Sequence, residues 1–230
     1  MKQIFDCSVD TDLLTGMRLV KLAIAKDQLV VLPTDTVYGV AADAFSPKAV
    51  QALLDAKGRG RQSPPPVLIP NLNTMHALAE FVPQAALRLS ETFWPGALTL
   101  ILRSQPSLTW DLGDTHGTVA IRMPDHKIAL ALLEETGPLA VSSANLTGES
   151  AAITCQQANS MLAASVEVYL DGGNSPKGEA STILDLTGLS ETKAEDGTIV
   201  VAGTIKIVRQ GALSQAKIRS VVGDLLEVTG

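Results

Sequence analysis

The stretch that most constrains the fold starts with an apolar run, Leu29 to Leu32, that ends abruptly at Pro33. Its aliphatic and β-branched residues are typical of a buried strand. Small polar residues and one aromatic follow at once, in the sequence PTDTVYG at positions 33–39. Because ligands in open α/β sheets lie where strand ends meet loops, this junction is the first candidate for a binding site.

A second candidate segment holds three cations within five residues, Lys57, Arg59 and Arg61, with glycines between them. No acidic residue occurs from position 56 to position 70. Arginine can bind a phosphate or carboxylate through two parallel hydrogen bonds, and lysine acts as a mobile point charge, so the segment indicates a bound anion. The alternative is a solvated basic loop in which Lys57 ends a helix and Gly58 is its left-handed cap.

Hydrophobic spacing, caps and prolines predict an irregular alternation of helices and strands. We expect helices over residues 10–28 and 74–92, the second with a break at Pro83, and a helix that begins after a Ser46 cap. Three further helices are expected: one from an Asp125 cap to Thr136, one from a Thr154 cap to about residue 164, and one from a Ser214 cap to Gly223. We expect strands over residues 29–32, 67–69, 97–102, 118–123, 139–141, 166–170, 182–186 and 205–208. Residues 188–198 are polar and predict a mobile hairpin or loop.

The chain has 230 residues, of which 46% are hydrophobic, and is therefore long enough for one good core. It contains no repeat, no low-complexity tract and no convincing linker. We therefore expect one domain over residues 1–230 with an α/β fold, in which helices pack on a mixed sheet.

Charge and composition exclude several classes of function. The net charge of −6 argues against a protein that binds nucleic acid over its whole surface. Two cysteines and three scattered histidines have neither disulfide nor metal-ligand spacing, so we predict no protein-built metal site. The N-terminus resembles no signal peptide, and no apolar run approaches the ~20 residues of a membrane span, which predicts a soluble, cytoplasmic protein.

Short polar clusters end or begin several of the predicted strands. If these ends meet, they form a pocket that offers cations, hydroxyls and one amide. The candidate residues are Thr34, Lys57, Arg59, Thr118, Arg122, Ser143, Asn145, Ser181 and Arg209. The sequence has no GxxxxGK[ST], GxGxxG or GxSxG motif, so a nucleotide would have to be held by this dispersed set.

Each cluster also has an ordinary structural explanation. The sequence SSAN at 142–145 fits a turn with a helix cap, and Arg122 fits a residue on the surface of a strand. Ser181 and Thr182 are common types at the start of a strand, and Arg209 could pair with an acid on a neighbouring element. Their shared position at the ends of apolar runs favours the functional interpretation.

Seven short motifs occur in a fixed order: PTDTVYG (33–39), KGR (57–59), WPGALT (94–99), VAIRMP (119–124), SANLTG (143–148), STILD (181–185) and RQG (209–211). In this order the chain resembles the YrdC/Sua5 family, the threonylcarbamoyl-AMP synthases, over about residues 12 to 222. The resemblance implies a YrdC-like fold, with a twisted mixed sheet and flanking helices around a concave basic cleft.

The resemblance also implies a reaction. L-threonine, bicarbonate and ATP would condense to L-threonylcarbamoyladenylate and pyrophosphate, with Mg²⁺ accompanying the ATP. Such an enzyme is a nucleotidyltransferase, and its product would pass to partner proteins that make the t6A modification at adenosine 37 of tRNA.

Site residues follow from the resemblance motif by motif. Lys57, Arg59, Ser143 and Asn145 would form the catalytic set that contacts the nucleotide phosphates and neighbouring groups. Thr34, Arg122 and Ser181 would bind threonine, Arg122 through the carboxylate. The ATP pocket would be completed by Arg61, Thr118 and Arg209.

Two local departures and one larger one separate this chain from the family pattern. Arg61-Gln62-Ser63 replaces the segment that commonly follows K-x-R, and Arg209-Gln210-Gly211 lacks the common proline. We also expect no C-terminal Sua5 domain, so that any lid supplied by that domain must come from elsewhere.

Two other functions stay open. The same cleft could make the protein a ribosome-associated factor or a module that binds double-stranded RNA or tRNA, although the net charge and the 3% of aromatic residues weigh against this. The second alternative is carbamoyl transfer on another substrate, as in the YrdC-like domains of hydrogenase maturation proteins.

Overall fold

The computed structural model describes residues 3–227, and ten of the twelve strands in that range form one mixed sheet. The strands are β1 Gln3–Asp6, β2 Leu29–Leu32, β3 Gly39–Asp43, β4 Val67–Leu68, β5 Leu98–Arg103, β6 Thr118–Arg122, β7 Leu139–Ser143, β8 Val166–Asp171, β9 Thr182–Asp185, β10 Ser190–Lys193, β11 Ile199–Ala202 and β12 Lys206–Arg209. Their order in the sheet is β1-β8-β2-β3-β7-β4-β6-β5-β9-β12, while β10 and β11 form a separate hairpin.

Parallel and antiparallel neighbours alternate irregularly across the sheet. β8 pairs in parallel with β1 and β2, whereas β3 pairs antiparallel with β2 and β7. β6 is parallel to β4 but antiparallel to β5. The predicted mixed α/β sheet with flanking helices is therefore confirmed.

Within the described residues seven α-helices connect the strands, and several begin where the sequence predicts. They are α1 Asp10–Ile24, α2 Pro47–Ala56, α3 Leu72–Leu78, α4 Gln84–Phe93, α5 Lys127–Thr136, α6 Cys155–Leu162 and α7 Gln215–Val222, followed by a 3₁₀ turn at Gly223–Leu225. The side chains of Ser46 and Thr154 cap α2 and α6 by accepting backbone N–H bonds of 3.2 Å. Both predicted caps are thus confirmed.

Several local predictions were wrong. β1 and β3 were not predicted, because β1 is short and the β3 sequence GVAAD is rich in residues of low strand propensity. Helix α1 ends at Ile24 instead of residue 28, since the chain turns through Asp27, which has a φ of 58°. Asp125 does not cap α5: His126 is the N-cap residue, and the Asp125 N–H donates to Asp35 Oδ1 at 3.1 Å.

Helices cover the two faces of the sheet unevenly. On one face, α2 and α6 pack on the half that contains β2 and β3, and α3, α4 and α7 pack on the half that contains β5 and β6. On the other face, α1 and α5 pack on the half that contains β2 and β3. The alternate residues of β5 and β6 on that second face belong to no described core cluster, which leaves this quarter of the sheet available for a cavity.

Gly58 ends α2 in the left-handed region, with a φ of 60°, as the structural interpretation of this segment predicts. Its N–H donates to Asp55 O at 3.0 Å, and the N–H of Arg59 donates to Leu54 O at 2.9 Å. These bonds complete the last turn of the helix and fix the direction of the chain beyond it. The cap and the anion-binding interpretation are therefore compatible, because the cap determines where Lys57 and Arg59 lie.

We expect Leu53→Ala in α2 to lower the free energy of unfolding by about 2–5 kcal/mol, because this fully buried side chain fills the core between α2 and the sheet. Leu14→Ala in α1 is the matched control, since Leu14 is 72% exposed and lies in a helix as well. Urea unfolding of both variants measures the difference. Equal losses in the two variants would contradict the burial of Leu53 in this core.

Candidate active site

A cavity of about 300 Å³ lies over the uncovered quarter of the sheet. Side chains point into it at every second strand position, as at Thr99 and Ile101 of β5 and at Ala120 and Arg122 of β6. The loop after β2 and the segment after α2 contribute further walls. Of the residues that the sequence proposes for the site, those that line the cavity are Thr34, Arg59, Arg122, Ser143, Ser181 and Arg209.

Lys57 lies next to this cavity, and its ammonium group binds the segment that follows β7. Nζ donates to the carbonyl oxygen of Ser143 and, at 2.7 Å, to that of Asn145, with Asn145 Oδ1 at 3.4 Å. Only 3% of Lys57 is exposed. The sequence therefore predicted correctly that Lys57 and Asn145, 88 positions apart, would meet.

The environment of Lys57 changes its titration. Burial, followed by the positive charge of Arg59, lowers the pKa of Lys57 to about 8. The three oxygen acceptors supply the hydrogen-bond partners that a buried ammonium group requires. The group is consequently charged at neutral pH and loses its charge as the pH rises through about 8.

Arg59 and Arg209 are two further cations at the cavity wall. Arg59 Nη1 donates to Ser142 Oγ at 3.2 Å, and Arg209 donates through Nε and Nη2 to the Ser181 carbonyl oxygen at 3.1 and 2.8 Å. Neither forms a described ion pair, so the alternative in which Arg209 pairs with an acid was wrong for this structure. Both guanidinium charges remain available to an anionic ligand.

The segment from Arg209 to Gly211 packs tightly against the start of β9. The Gly211 N–H donates to Thr182 Oγ1 at 3.0 Å. A Cβ added at Gly211 would lie 2.2 Å from the Ala180 carbonyl oxygen and 2.6 Å from the carbonyl carbon of Ser181. Only glycine allows this close approach of the two backbones.

Arg122 is buried, not exposed on the strand surface, and three of its N–H groups are already used. Nε donates to the Gly96 carbonyl oxygen and Nη1 to Thr36 Oγ1, both at 2.9 Å, while Nη2 pairs with Asp35 Oδ1. The neighbouring Thr34 hydroxyl donates to the Val37 carbonyl oxygen at 2.6 Å. A guanidinium group has five N–H groups, so two of those on Arg122 remain for a ligand.

Two predicted ATP residues lie apart from the cavity lining. Arg61 is exposed and pairs with Asp111 at 2.7 Å and Asp114 at 3.5 Å, on the loop before β6. The Thr118 hydroxyl, at the far end of β6, donates to the Thr115 carbonyl oxygen at 2.8 Å. The structure therefore does not bring Arg61 and Thr118 together with the other predicted residues, and their contact with ATP stays a prediction.

Sequence reasoning missed several residues of the cavity and its support. Asp35 holds both Arg122 and Lys177, and the Thr99 hydroxyl lies 2.8 Å from that of Ser181. Tyr38 lines the cavity, and its hydroxyl donates to the Gly173 carbonyl oxygen at 2.5 Å. Asp35 and Tyr38 could have been proposed because they lie within PTDTVYG, whereas no local signal marks Lys177.

Within residues 3–227, no helix is long and apolar enough to cross a bilayer. Over the same part of the chain, His, Cys, Asp and Glu side chains form no group of three that could hold a metal ion.

The sequence also matches known proteins. A family model described as "Telomere recombination", built for Sua5, YciO and YrdC proteins, matches residues 22–211. A Mycobacterium tuberculosis protein provisionally named threonylcarbamoyl-AMP synthase is 46% identical over 223 residues, which cover 97% of this chain and 96% of that protein. A Bacillus subtilis protein named threonylcarbamoyl-AMP synthase is 35% identical over 87% of this chain but only 54% of its own length.

Solved structures share the fold. The structure of Pyrococcus abyssi Sua5 in complex with L-threonine has a TM-score of 0.84 and 29% identity, over 98% of this chain and 62% of that one. Escherichia coli YciO has a TM-score of 0.73 over 95% of this chain and all of that one, at 23% identity. The chain thus spans about three-fifths of the longer Sua5 protein and the full length of the shorter YciO protein.

The lowered pKa of Lys57 predicts a pH effect on stability. The unfolded chain holds this proton up to about pH 10.4, whereas the folded protein releases it near pH 8. Between these values the unfolded state binds more protons, so wild-type stability should rise with pH relative to Lys57→Met, in which the group is absent. Urea unfolding of both proteins at several pH values measures this difference, and a constant difference from about pH 7.5 to about pH 10 would contradict the prediction.

Proposed function

Because the chain belongs to the Sua5/YciO/YrdC family, we propose that it is a threonylcarbamoyl-AMP synthase of the nucleotidyltransferase class. In this reaction L-threonine, bicarbonate and ATP give L-threonylcarbamoyladenylate and pyrophosphate. The names of the relatives that are 46% and 35% identical support the proposal, as does the Pyrococcus abyssi Sua5 complex with L-threonine. The observation that carries it is one cavity lined by three arginines and several hydroxyls, with Lys57 beside it.

The threonine subsite lies around Arg122. Its two unused N–H groups can bind the threonine carboxylate through parallel hydrogen bonds. Thr34 and Ser181 line the same cavity and can orient the amine or hydroxyl of the amino acid without adding charge. Because Thr36 and Asp35 already bind the guanidinium, it is ordered before the ligand arrives.

The triphosphate subsite lies around Arg59 and Arg209. Both are cationic and unpaired with acids among the described residues, so they can offset phosphate charge. Lys57 directs its N–H groups to the segment from Ser143 to Asn145, so it holds this segment and adds positive charge. A direct contact between Lys57 and a phosphate would replace its longest contact, the 3.4 Å one to Asn145 Oδ1.

The chemistry requires positioning more than a protein nucleophile. The threonine amine and bicarbonate lose water to form a carbamate, and a carbamate oxygen then attacks the α-phosphorus of ATP. The bond from that phosphorus to the oxygen that bridges to the β-phosphate breaks, and pyrophosphate leaves with the electron pair. A site that aligns the reactants and neutralises the developing charge is sufficient for such a transfer.

Mg²⁺ would enter with ATP. No Asp or Glu is among the described residues that line the cavity, whereas hydroxyl groups are abundant there. This donor set suits an ion that keeps several waters and is held mainly by phosphate oxygens. When bound, Mg²⁺ would neutralise charge on the triphosphate, and Arg59 and Arg209 would supply the remaining positive charge from the protein.

Transfer of the product to the proteins that modify adenosine 37 of tRNA is part of the same proposal. The alternative of an RNA-binding or ribosome-associated module is not favoured, because the relatives described above carry synthase names and the net charge is −6. Any contact with tRNA would have to use a local surface.

The proposed reaction predicts that purified protein with ATP and Mg²⁺ releases pyrophosphate only when both L-threonine and bicarbonate are present. A coupled pyrophosphate assay measures the rate, and mass spectrometry identifies the adenylate. Release that is unaffected by omission of threonine would contradict the proposal. Release that is driven by carbamoyl phosphate in place of threonine and bicarbonate would support carbamoyl transfer on another substrate instead.

Lys57→Ala should lower kcat/KM by about 30- to 1,000-fold, equivalent to about 2–4 kcal/mol, because it removes a charge contact at the site of transfer. The matched control is Lys48→Ala, at the exposed start of the same helix, which should retain wild-type activity. Thermal unfolding of both variants serves to check that they fold. Unchanged kcat/KM in the folded Lys57 variant would remove Lys57 from the site.

A further inference from the structure

The carboxylate of Asp35 is shared by two cations. Oδ1 accepts from Arg122 Nη2 and from the Asp125 N–H, while Oδ2 accepts from Lys177 Nζ at 2.8 Å. The side chains of Asp35 and Arg122 are only 3% and 8% exposed, whereas that of Lys177 is 40% exposed. Lys177 therefore reaches from the surface to a buried ion pair behind the cavity.

The charges of this group do not cancel. Arg122 and Lys177 carry two positive charges and Asp35 carries one negative charge, which leaves a net charge of +1 beside the cavity. Burial raises the pKa of Asp35, but the charge of Arg122, the hydrogen bond and charge of Lys177, and the Asp125 N–H outweigh it and hold that pKa below its usual value. The carboxylate stays ionised at neutral pH, so the excess positive charge depends on Lys177.

Without Lys177, Arg122 and Asp35 would form a neutral pair. A neutral ion pair attracts a ligand carboxylate less strongly than a group with a net charge of +1 does. The ligand charge then interacts with a dipole and not with a net opposite charge. The remaining N–H groups of Arg122 could still bind the ligand, but with less electrostatic attraction. Lys177 can therefore affect the charge at the cavity although it is not among the residues that line it.

The segment from Gly172 to Ser181, which carries Lys177, is attached to the rest of the protein on both sides of this residue. The N–H of Ser175 donates to the Ile153 carbonyl oxygen at 2.8 Å, and the Ala180 carbonyl oxygen accepts from the Ala212 N–H at 3.0 Å. The Lys177–Asp35 ion pair is therefore an additional contact of the segment. Its loss should leave the course of the backbone unchanged.

We propose that Lys177 is a positioning residue for threonine recognition, which offsets the charge of Asp35 so that Arg122 presents net positive charge to the threonine carboxylate. This inference rests on the proposed synthase function and on the threonine subsite at Arg122. It assigns Lys177 to the binding of the amino acid and not to that of ATP, since the ion pair ends at Arg122.

The test compares Lys177→Met, Lys177→Arg and the control Lys193→Met, which removes an exposed lysine from β10. Pyrophosphate release gives kcat and the KM values for threonine and ATP, and calorimetry gives threonine affinity without turnover. Lys177→Met should raise the KM and Kd for threonine about five- to tenfold, with kcat and the KM for ATP changed less than about twofold. Lys177→Arg and Lys193→Met should resemble the wild type.

Two results would overturn this inference and leave the proposed function intact. The first is equal affinity of the wild type and Lys177→Met for threonine. The second is a KM for ATP that rises in Lys177→Met as much as the KM for threonine. The second result, together with a lower melting temperature, would show that Lys177 acts only on the stability of the segment. Wild-type protein that neither binds threonine nor releases pyrophosphate with it would overturn the proposed function and this inference together.

Discussion

The structure of the site depends on one buried ammonium group. Lys57, at the end of α2, holds the carbonyl oxygens of Ser143 and Asn145 and thereby joins two segments that are far apart in sequence. A charge in such surroundings costs several kcal/mol unless it is paired or hydrogen-bonded, and here carbonyl and amide oxygens meet that requirement without an acid. An acid in this position would have cancelled the charge, whereas carbonyl oxygens stabilise the ammonium group and leave its positive charge intact.

The second constraint is the uneven cover of the sheet. Six-residue strand β5 places Leu98, Leu100 and Leu102 in the core, and its alternate residues Thr99 and Ile101 line the cavity. The same alternation in β6 separates Val119 and Ile121 from Ala120 and Arg122, so that one strand serves packing and ligand binding at once. The cavity is thus a part of the sheet surface on which none of the helices within residues 3–227 packs, and loops form its rim.

Most of the sheet could be predicted because its signals are local, and six of the residues that the motifs proposed for the site line the cavity. The apolar runs form strands, and Ser46, Thr154 and Gly58 cap helices within a few residues of their own positions. The ordered motifs identified Thr34, Arg59 and Ser181, which line the cavity. The failures have non-local causes. β3 is a strand because β2 and β7 flank it, and Arg61 faces away because Asp111 and Asp114 bind it. Lys177 is connected to the cavity through its ion pair with Asp35. None of these partners can be read from neighbouring residues.

The contact at Gly211 has a consequence for the geometry of the whole wall. A single methyl group there would collide with main-chain atoms at 2.2 and 2.6 Å, and main-chain atoms cannot rotate aside as the end of a side chain can. The last strand would have to move outward, and the Arg209 guanidinium would move with it, away from the Ser181 carbonyl oxygen. The width of the cavity on this side therefore depends on the absence of a Cβ atom at Gly211.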